Sequence, residues 1–349
     1  MRAAVLHEIP AAHLAVEETA APTALEPNDL LLRVEACGIC GTDLHILAGG
    51  SYRPTLPFVL GHEPVGTVIE AGAAASDRWL GRRVTMTLFS GCGECPECRR
   101  GQERICSRLV SISGVLGCWG GYAEMMTIRA AQAVEVPGAL TATEAASLVD
   151  SGATAANAVR VALERDSNRI AIVGAGPIGH IAAEMLREQD IECVVVQSSE
   201  PRRVAIEALG YRTTTSLGEL EDAPDIIIDC AGSASVTVES IEALAPAGTY
   251  IAAGYATVPS FELPHVARKE LTIRGVRSGS RADLVHVLDL AASGRIRLPS
   301  VQLWSLEDIN SALDDLRGRR VVGKAVIVPE STANTESKRP PQGESPTHG

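Results

Sequence analysis

The sequence predicts an all-β domain followed by an α/β domain with a parallel sheet. In residues 1–147, valine-rich runs separated by Gly, Pro and Asp are typical of short strands and turns. In residues 148–281, apolar runs alternate with helical patterns, which favours parallel strands covered by helices on both faces. The 349 residues are enough for two domains of ordinary size.

The first domain contains three clear strand patterns and one irregular segment. The strands are predicted at 30–40, 66–72 and 82–88. A segment rich in Gly and Cys follows at about 90–108. The Ala-rich run 141–163 then predicts a helix leading into the second domain, with Thr143 as its candidate N-cap.

The second domain alternates strands and helices. Its strands are predicted at 169–176, 191–197, 225–232, 248–255 and 270–276, with helices between the first four of them. Two further helices and a last strand at 323–329 follow, and we expect residues 282–330 to return to the first domain. Residues 331–349 are polar and contain prolines, so we expect a disordered tail.

Composition argues against several classes of function. The formal net charge of −12 disfavours a nucleic-acid surface and an anionic membrane. The sequence has neither an apolar stretch of ~18 residues nor a recognisable secretory signal, so we expect a cytoplasmic protein. Nine cysteines in such a chain favour metal binding over disulfides.

The densest metal motif is a group of four cysteines spaced C-x2-C-x2-C-x7-C: Cys92, Cys95, Cys98 and Cys106. Gly and Pro turns between them allow four thiolates to converge on one tetrahedral centre, which suits Zn²⁺. An iron–sulfur cluster and four metal-free core thiols are the alternatives. Because four thiolates fill every tetrahedral position, we predict a structural site that binds no substrate.

A second set of ligand types lies upstream of the four cysteines. The stretch CGICGTDLH offers Cys40 and His45, and the stretch GHEPVG offers His62 and Glu63. A single buried histidine is more often a core residue bonded to a backbone carbonyl. The order of these two turns and the cysteine group, within about 70 residues, favours a second, open metal site.

With these motifs the chain resembles the zinc-dependent medium-chain alcohol dehydrogenases. The motifs that carry the resemblance are GICGTDLH, LGHEPVGTV, CGECPECRRGQERIC, GGYAE and GAGPIG, and it spans residues 1–329. It implies a chaperonin-10-like (GroES-like) catalytic β domain, completed by C-terminal residues, and a Rossmann cofactor domain. It also implies two zinc ions per chain, NAD or NADP, a small alcohol or ketone substrate, and a homodimer or homotetramer.

The resemblance assigns Cys40 and His62 as ligands of a catalytic zinc. The third ligand precedes an x-G-x-T turn, where this chain has Asp150 and many members have Cys. A surface or cap carboxylate is the alternative for Asp150. Glu63 is expected beside the metal, either as an exchangeable ligand or as a partner of the ligands. Three protein ligands leave one position for a substrate oxygen, where Zn²⁺ would act as a Lewis acid.

A proton relay is also implied by the resemblance. Thr42 occupies the family position that bonds the substrate oxygen, and His45 occupies that of the last group before solvent. We therefore expect a relay from the substrate through Thr42 and the cofactor ribose to His45. A hydroxyl that stabilises a turn and an exposed loop histidine are the respective alternatives.

The stretch GAGPIG is a G-x-G-x-x-G motif between an apolar run and a helix, which is the context that dinucleotide binding requires. Gly174 permits the tight turn, Gly176 lets the backbone approach a pyrophosphate, and Gly179 allows close packing of helix and strand. Pro177 and Ile178 begin the helix whose N-terminus faces the phosphates.

Cofactor preference is predicted at the end of the second strand. Gln197 stands where NAD enzymes usually have Asp or Glu, and Glu200 comes too late to replace it. Four following side chains could surround a 2′-phosphate, which favours NADP or dual use: Ser198, Ser199, Arg202 and Arg203. Lys324 matches a basic family position near the pyrophosphate, with a surface lysine as the alternative.

The substrate is predicted from the third zinc ligand. With a carboxylate at this position, the zinc-binding residues resemble those of polyol and secondary-alcohol dehydrogenases. This resemblance favours a polyol, sugar-like or cyclitol substrate and a role in specialised metabolism. A simple alcohol or aldehyde dehydrogenase and a non-catalytic zinc-binding protein are the alternatives. Proximity to the motifs suggests five pocket residues: Leu47, Tyr52, Phe89, Leu116 and Trp119.

Overall fold

The first domain is an assembly of short, mostly antiparallel strands. The structure is a computed structural model, and it describes residues 1–23, 25–167, 169–254 and 262–329. The predicted disordered tail at 331–349 lies outside these residues. The elements of this domain are β1 (Arg2–Leu6), β2 (Ala15–Glu18), β3 (Asp29–Gly38), α1 (Gly41–Leu47), β4 (Phe58–Val59), β5 (Glu63–Ala71), β6 (Arg83–Met86), β7 (Phe89–Ser90), α2 (Pro96–Arg99), β8 (Ser111–Ser113), β9 (Gly117–Cys118), β10 (Met125–Arg129), β11 (Ala133–Glu135) and α3 (Ala142–Ala146).

The second domain contains a parallel sheet of six strands, most of which are joined by α-helices. Its elements are α4 (Ser151–Ala162), β12 (Ile170–Val173), α5 (Pro177–Glu188), β13 (Cys193–Val196), α6 (Glu200–Glu207), β14 (Arg212–Thr214), β15 (Ile226–Asp229), α7 (Ala234–Ala243), β16 (Thr249–Ala252), α8 (Leu263–Lys269) and β17 (Thr272–Gly275). The strand order β14-β13-β12-β15-β16-β17 is that of a doubly wound sheet, in which the first strand lies at the centre and the chain winds outward to both edges. The predicted Rossmann architecture is therefore confirmed.

The end of the chain returns to the first domain later than the sequence suggests. The last elements are α9 (Arg281–Ala292), β18 (Val301–Ser305), α10 (Ile309–Arg317) and β19 (Lys324–Val328). Helix α9 still packs against α4, whereas β18 and β19 join the large sheet of the first domain, in the order β11-β6-β5-β3-β19-β18. The return thus begins at β18, because α9 buries its apolar face in the second domain.

Two strand pairings bring distant parts of the sequence to one place. Strand β3 pairs with β5 so that Gly38 lies opposite Glu63, which places Cys40 and His62 just beyond the paired ends. Strand β3 also pairs with β19, with Gly38 opposite Val326. The start of β19 therefore lies beside the same corner of the sheet.

The predicted helix 141–163 is in fact two helices, α3 and α4. Its N-cap is Thr141 rather than Thr143, because Thr141 and Glu144 form a reciprocal capping box. The chain then turns between the two helices, where the N–H groups of Asp150 and Ser151 donate to the Glu63 carboxylate, at 3.3 and 3.4 Å. This interruption places Asp150 at the N-cap of α4.

Within the described part of the chain, no helix is long and apolar enough to cross a membrane.

Candidate active site and metal centres

A cleft of about 310 Å³ lies between the two domains. The first domain contributes Cys40, Thr42, His45 and His62 to its lining, and α4 contributes Asp150. The second domain contributes the start of α5. The cleft therefore contains both the upstream ligand types and part of the glycine loop.

The structure brings Cys40, His62 and Asp150 together. One ligand atom of each lies within 4.8 Å of the others, and His62 Nε2 is 3.7 Å from Asp150 Oδ2. His62 is 1% exposed, yet its Nε2 atom has no hydrogen-bond partner among the described residues. A thiolate, an imidazole and a carboxylate at these distances form a donor set suited to zinc with one position left open.

A buried carboxylate that the sequence analysis passed over holds this group in place. Asp43 Oδ2 accepts hydrogen bonds from the Cys40 backbone N–H at 2.9 Å and from the Tyr122 hydroxyl at 2.8 Å. Its Oδ1 atom lies 3.4 Å from His62 Nδ1. Burial and the Asp43 carboxylate raise the pKa of Tyr122 well above its ordinary value, so the phenol remains a neutral donor. Asp43 thus holds Cys40 through the backbone N–H of that residue, and its second oxygen lies beside the imidazole ring of His62.

Glu63 lies outside the metal-binding group, contrary to one of the two expectations for it. Its carboxylate forms a buried ion pair with Lys324 and accepts the N–H groups of Asp150 and Ser151. Burial acts to lower the pKa of Lys324, but the charges of Glu63, Cys40 and Asp150 together outweigh it and raise that pKa. Glu63 therefore positions the segment that carries Asp150. Lys324 is buried against the Glu63 carboxylate, so it is not a surface lysine.

The two predicted relay residues lie on α1 and line the cleft. Thr42 Oγ1 is 3.9 Å from Cys40 Sγ, so its hydroxyl is next to the metal-binding group. His45 is exposed in the last turn of α1. One hydroxyl near the ligands and one imidazole near solvent is the placement that a proton relay requires.

The glycine loop joins β12 to α5 and has the geometry of a dinucleotide-binding turn. Gly174 has a φ of 96°, which side-chain-bearing residues rarely adopt. A Cβ atom on Gly179 would overlap the carbonyl oxygen of Gly174, whereas one on Gly176 would meet no protein atom within 4 Å. Gly176, Pro177 and Ile178 line the cleft, so the open space faces the position that a pyrophosphate would take.

The candidate 2′-phosphate residues do not all face the cleft. Gln197 is buried, and its Oε1 atom accepts the Ala175 N–H at 2.7 Å. Arg202 lines the cleft, whereas Arg203 forms an ion pair with Glu207 at 2.8 Å. Ser198 is exposed, and Ser199 is the N-cap of α6.

The segment at about 90–108 is called the lobe, and its four cysteines also converge, with their sulfur atoms within 4.8 Å of one another. Backbone N–H groups donate to three of the sulfurs at 3.3–3.4 Å: those of Cys92, Cys95 and Cys106. The N–H groups of Glu94 and Cys95 lower the pKa of Cys92 to about 6. Burial and the neighbouring sulfurs raise the pKa of Cys98 to about 12, so four thiolates here require a cation among them.

The pocket residues suggested by sequence proximity are partly wrong. Tyr52 and Phe89 line the cleft. Leu47 is buried in the core, and Leu116 and Trp119 pack against that core. These three residues do not line the cleft. Several apolar residues that the sequence analysis missed line the cleft instead, among them Leu88, Ile112, Val115 and Val276. They come from separate loops and strands, so no sequence motif marked them.

Two glycine substitutions should separate folding from cofactor binding. We expect Gly179→Ala to lower the melting temperature and weaken cofactor binding at least about tenfold, because its methyl group clashes with Gly174. Gly176→Ala is the matched variant: its methyl group meets no protein atom, so the melting temperature should stay and only cofactor affinity should fall. Thermal unfolding and dinucleotide titration measure both. Normal cofactor affinity in Gly176→Ala would contradict this role of the loop.

Two family models match adjacent parts of this chain. "Alcohol dehydrogenase GroES-like domain" matches residues 26–138, and "Glucose dehydrogenase C-terminus" matches residues 138–272. A curated alcohol dehydrogenase of Geobacillus stearothermophilus is 31% identical over 343 residues, which cover 94% of this chain and 98% of that protein.

Solved structures agree with these matches. An alcohol dehydrogenase of Aeropyrum pernix is 28% identical, with a TM-score of 0.87 over 94% of this chain and 100% of that one. A cobalt- and zinc-bound alcohol dehydrogenase of Pyrobaculum aerophilum is also 28% identical, with a TM-score of 0.84 over 94% and 99% of the two chains.

The fold and the cleft define a dehydrogenase built from a GroES-like domain and a Rossmann domain. The similarity extends over nearly the whole of both chains in each comparison. This chain belongs to the zinc-dependent medium-chain alcohol dehydrogenase family, as the motifs predicted.

Proposed function

We propose that this alcohol dehydrogenase interconverts a secondary alcohol and its ketone, using NADP or NAD. The observation that supports this most is the placement of Cys40, His62 and Asp150 in the same cleft as the start of α5. A hydride transfer needs a polarised C–OH group and a nicotinamide ring in contact, and this cleft offers sites for both.

The protein side of the mechanism follows from the contacts. Cys40, His62 and Asp150 would hold a catalytic zinc, which when bound supplies a Lewis acid that favours the ionised form of an alcohol hydroxyl. Thr42 lies beside this group and accepts the hydroxyl proton, and His45 passes it to solvent. The glycine loop binds the pyrophosphate and fixes the position of the nicotinamide.

The ligand set is electrostatically consistent with this role. One thiolate and one carboxylate balance the two charges of Zn²⁺, so the neutral ion site can accept a developing negative charge on the substrate oxygen. The neighbouring Glu63 and Lys324 neutralise each other. Asp150 also accepts a hydrogen bond from Thr154 Oγ1 at 3.4 Å, which limits its rotation.

Two classes of substrate are candidates for this reaction. Asp150 as third ligand supports the polyol, sugar-like or cyclitol substrate predicted from the resemblance. The cleft wall supports a simpler secondary alcohol, since Leu88, Ile112 and Val115 offer apolar contact and no hydrogen bonds to extra hydroxyls. We propose a secondary alcohol with an apolar substituent at the reacting carbon, with the polyol as second candidate.

A screen of alcohols with both cofactors tests this function. We expect about two zinc ions per chain by metal analysis, and reduction of NADP, or of both cofactors, with 2-alkanols faster than with polyols. Faster oxidation of polyols would favour the second candidate. A hundredfold preference for NAD would defeat the NADP prediction. A zinc-loaded protein that reduces neither cofactor with any alcohol would refute the proposal.

A relay residue predicts a change in the pH profile. We expect His45→Gln to slow alcohol oxidation mainly at and below neutral pH, because hydroxide is there too scarce to remove the proton without the relay. The rate at high pH should change little, since hydroxide there replaces the relay. His7→Gln is the matched control, because that exposed histidine pairs with Glu17 outside the cleft. An unchanged pH–rate profile in His45→Gln would remove this residue from the relay.

A further inference from the structure

A second cavity, of about 380 Å³, adjoins the cleft and is lined by four arginines. We call it the arginine basin; its charged residues are Arg104, Arg160, Arg274 and Arg277. Tyr52 and Val276 line both the basin and the cleft, so the two cavities meet there. A concentration of positive charge is unusual in a chain with a net charge of −12.

Two of the four arginines are already paired. Arg274 lies 3.0 Å from a carboxylate oxygen of Glu164, and Arg160 lies 3.8 Å from Glu164 and 3.5 Å from Asp283. These ion pairs account for both acidic side chains. The charges of Arg160 and Arg274 therefore need no further ligand.

The other two arginines have no such partner within the described residues. Arg277 donates to the backbone carbonyl of Arg104 at 2.8 Å and to the Tyr52 hydroxyl at 3.1 Å. Its guanidinium also lies 4.7 Å from the centre of the Phe89 ring, which is in the cleft wall. Arg277 thus connects the loop that carries Arg104 to the substrate side of the cleft.

Arg104 is the most unusual residue of the basin. It is only 9% exposed, and its buried Nη1 atom has no hydrogen-bond partner in the part of the chain that the structure describes. Glu103 and Asp283 act on it only through space, and burial lowers its pKa. A buried guanidinium nitrogen without a partner carries a desolvation cost that an oxyanion would offset with a charge-assisted hydrogen bond.

We propose that the arginine basin binds a carboxylate or phosphate group at the far end of the substrate. The proposal rests on the proposed function and narrows it to an anionic alcohol. The secondary hydroxyl lies at the metal ligands, an apolar chain passes Tyr52 and Phe89, and the terminal oxyanion pairs with Arg104. The planar guanidinium fork matches both oxyanions, so the chemistry they share defines the site.

Matched substrates test the proposal. The probes are 2-hexanol, 5-hydroxyhexanoate and 5-hydroxyhexyl phosphate, which share a secondary hydroxyl next to a methyl group and differ at the far end. In the wild-type enzyme we expect kcat/KM at least about tenfold higher for one of the anionic alcohols than for 2-hexanol. In Arg104→Met this ratio should fall to about one. The better of the two anions identifies carboxylate or phosphate as the natural group.

The outcomes separate this proposal from the proposed function. Oxidation of 2-hexanol without preference for either anionic alcohol would overturn the basin and leave the dehydrogenase function intact. Oxidation of no alcohol at all would refute both. Arg212→Met is the control, because Arg212 lies on strand β14, outside both cavities, and pairs with Glu221. This variant should retain the preference for the anionic alcohol.

A binding measurement that needs no turnover provides a second test. With saturating cofactor and constant ionic strength, inorganic phosphate or acetate in place of chloride should raise the melting temperature of the wild-type protein. Arg104→Met should lose this rise, and without added anion it should melt no lower than wild type, since it removes an unpaired buried charge. If the melting temperature of the wild-type protein did not rise, as when a second copy of the chain covers the basin, the proposal would be wrong. It would also be wrong if the rise persisted in Arg104→Met.

Discussion

Replacing Cys40 with Ser, or Asp150 with Asn, should lower kcat/KM for alcohol oxidation by about a thousandfold or more. Each change removes an anionic donor from a group whose ligand atoms lie within 4.8 Å of one another. Zinc content should fall from about two ions to about one per chain. Steady-state kinetics and metal analysis of the same preparations measure both effects, and cofactor affinity should change little.

The control for this experiment is Cys118→Ser. Cys118 lies on β9, and its sulfur contacts the carbonyl oxygens of Trp119 and Thr127 rather than the cleft. Its substitution should leave both zinc ions and the activity in place. If Cys40→Ser retained near-normal turnover and two zinc ions, the assignment of the catalytic ligands would be wrong.

Replacing Cys98 with Ser should have the largest effect on stability. We expect loss of one zinc ion and a fall in melting temperature of more than about 10 °C, because structural zinc contributes directly to folding free energy. Cys98 is buried, and its sulfur lies beside those of three other cysteines. Without it, the three remaining sulfurs no longer provide the four ligands that a structural zinc requires.

The lobe variant should also affect the second cavity. Arg104 lies between Cys98 and Cys106, so loosening the lobe moves Arg104 away from Arg277. Calorimetry and metal analysis measure the stability effect, again with Cys118→Ser as control. A Cys98→Ser protein with two zinc ions and a normal melting temperature would show that Cys98 is not a ligand of a structural zinc.

The lobe and the glycine loop could be predicted because their information is local. Cys92 to Cys106 occupy 15 consecutive positions, and turn chemistry alone brings their sulfurs together. Gly174 to Gly179 form one strand–helix connection. Both kinds of site follow from sequence spacing without knowledge of strand pairing.

The rest of the cleft depends on pairings that sequence spacing does not contain. Glu63 and Lys324 are brought together only because β5 and β19 both pair with β3. Asp150 reaches the metal group because a hydrogen bond from its N–H to Glu63 interrupts what looked like one helix. Asp150 was identified through family resemblance, since an Ala-rich pattern marks no ligand.

The arginine basin could not be predicted for a related reason. Arg104 stood among lobe residues that the cysteine spacing treats as spacers, and Arg277 followed the last parallel strand. Only the packing of the lobe against the second domain places them together. Short strands such as β14 and β18 were missed because three to five residues carry too little periodicity.

The position of Asp150 at the start of α4 has one more consequence. Cys40 and His62 lie in the first domain, and Asp150 immediately precedes α4, the helix that leads into the second. A rotation of the second domain that closes the cleft around a dinucleotide would pull on Asp150 through α4, against its hydrogen bond to Glu63, and we expect it to alter the spacing of the three donors. In a cobalt-substituted enzyme, the visible absorption of the metal should report cofactor arrival before any alcohol is present.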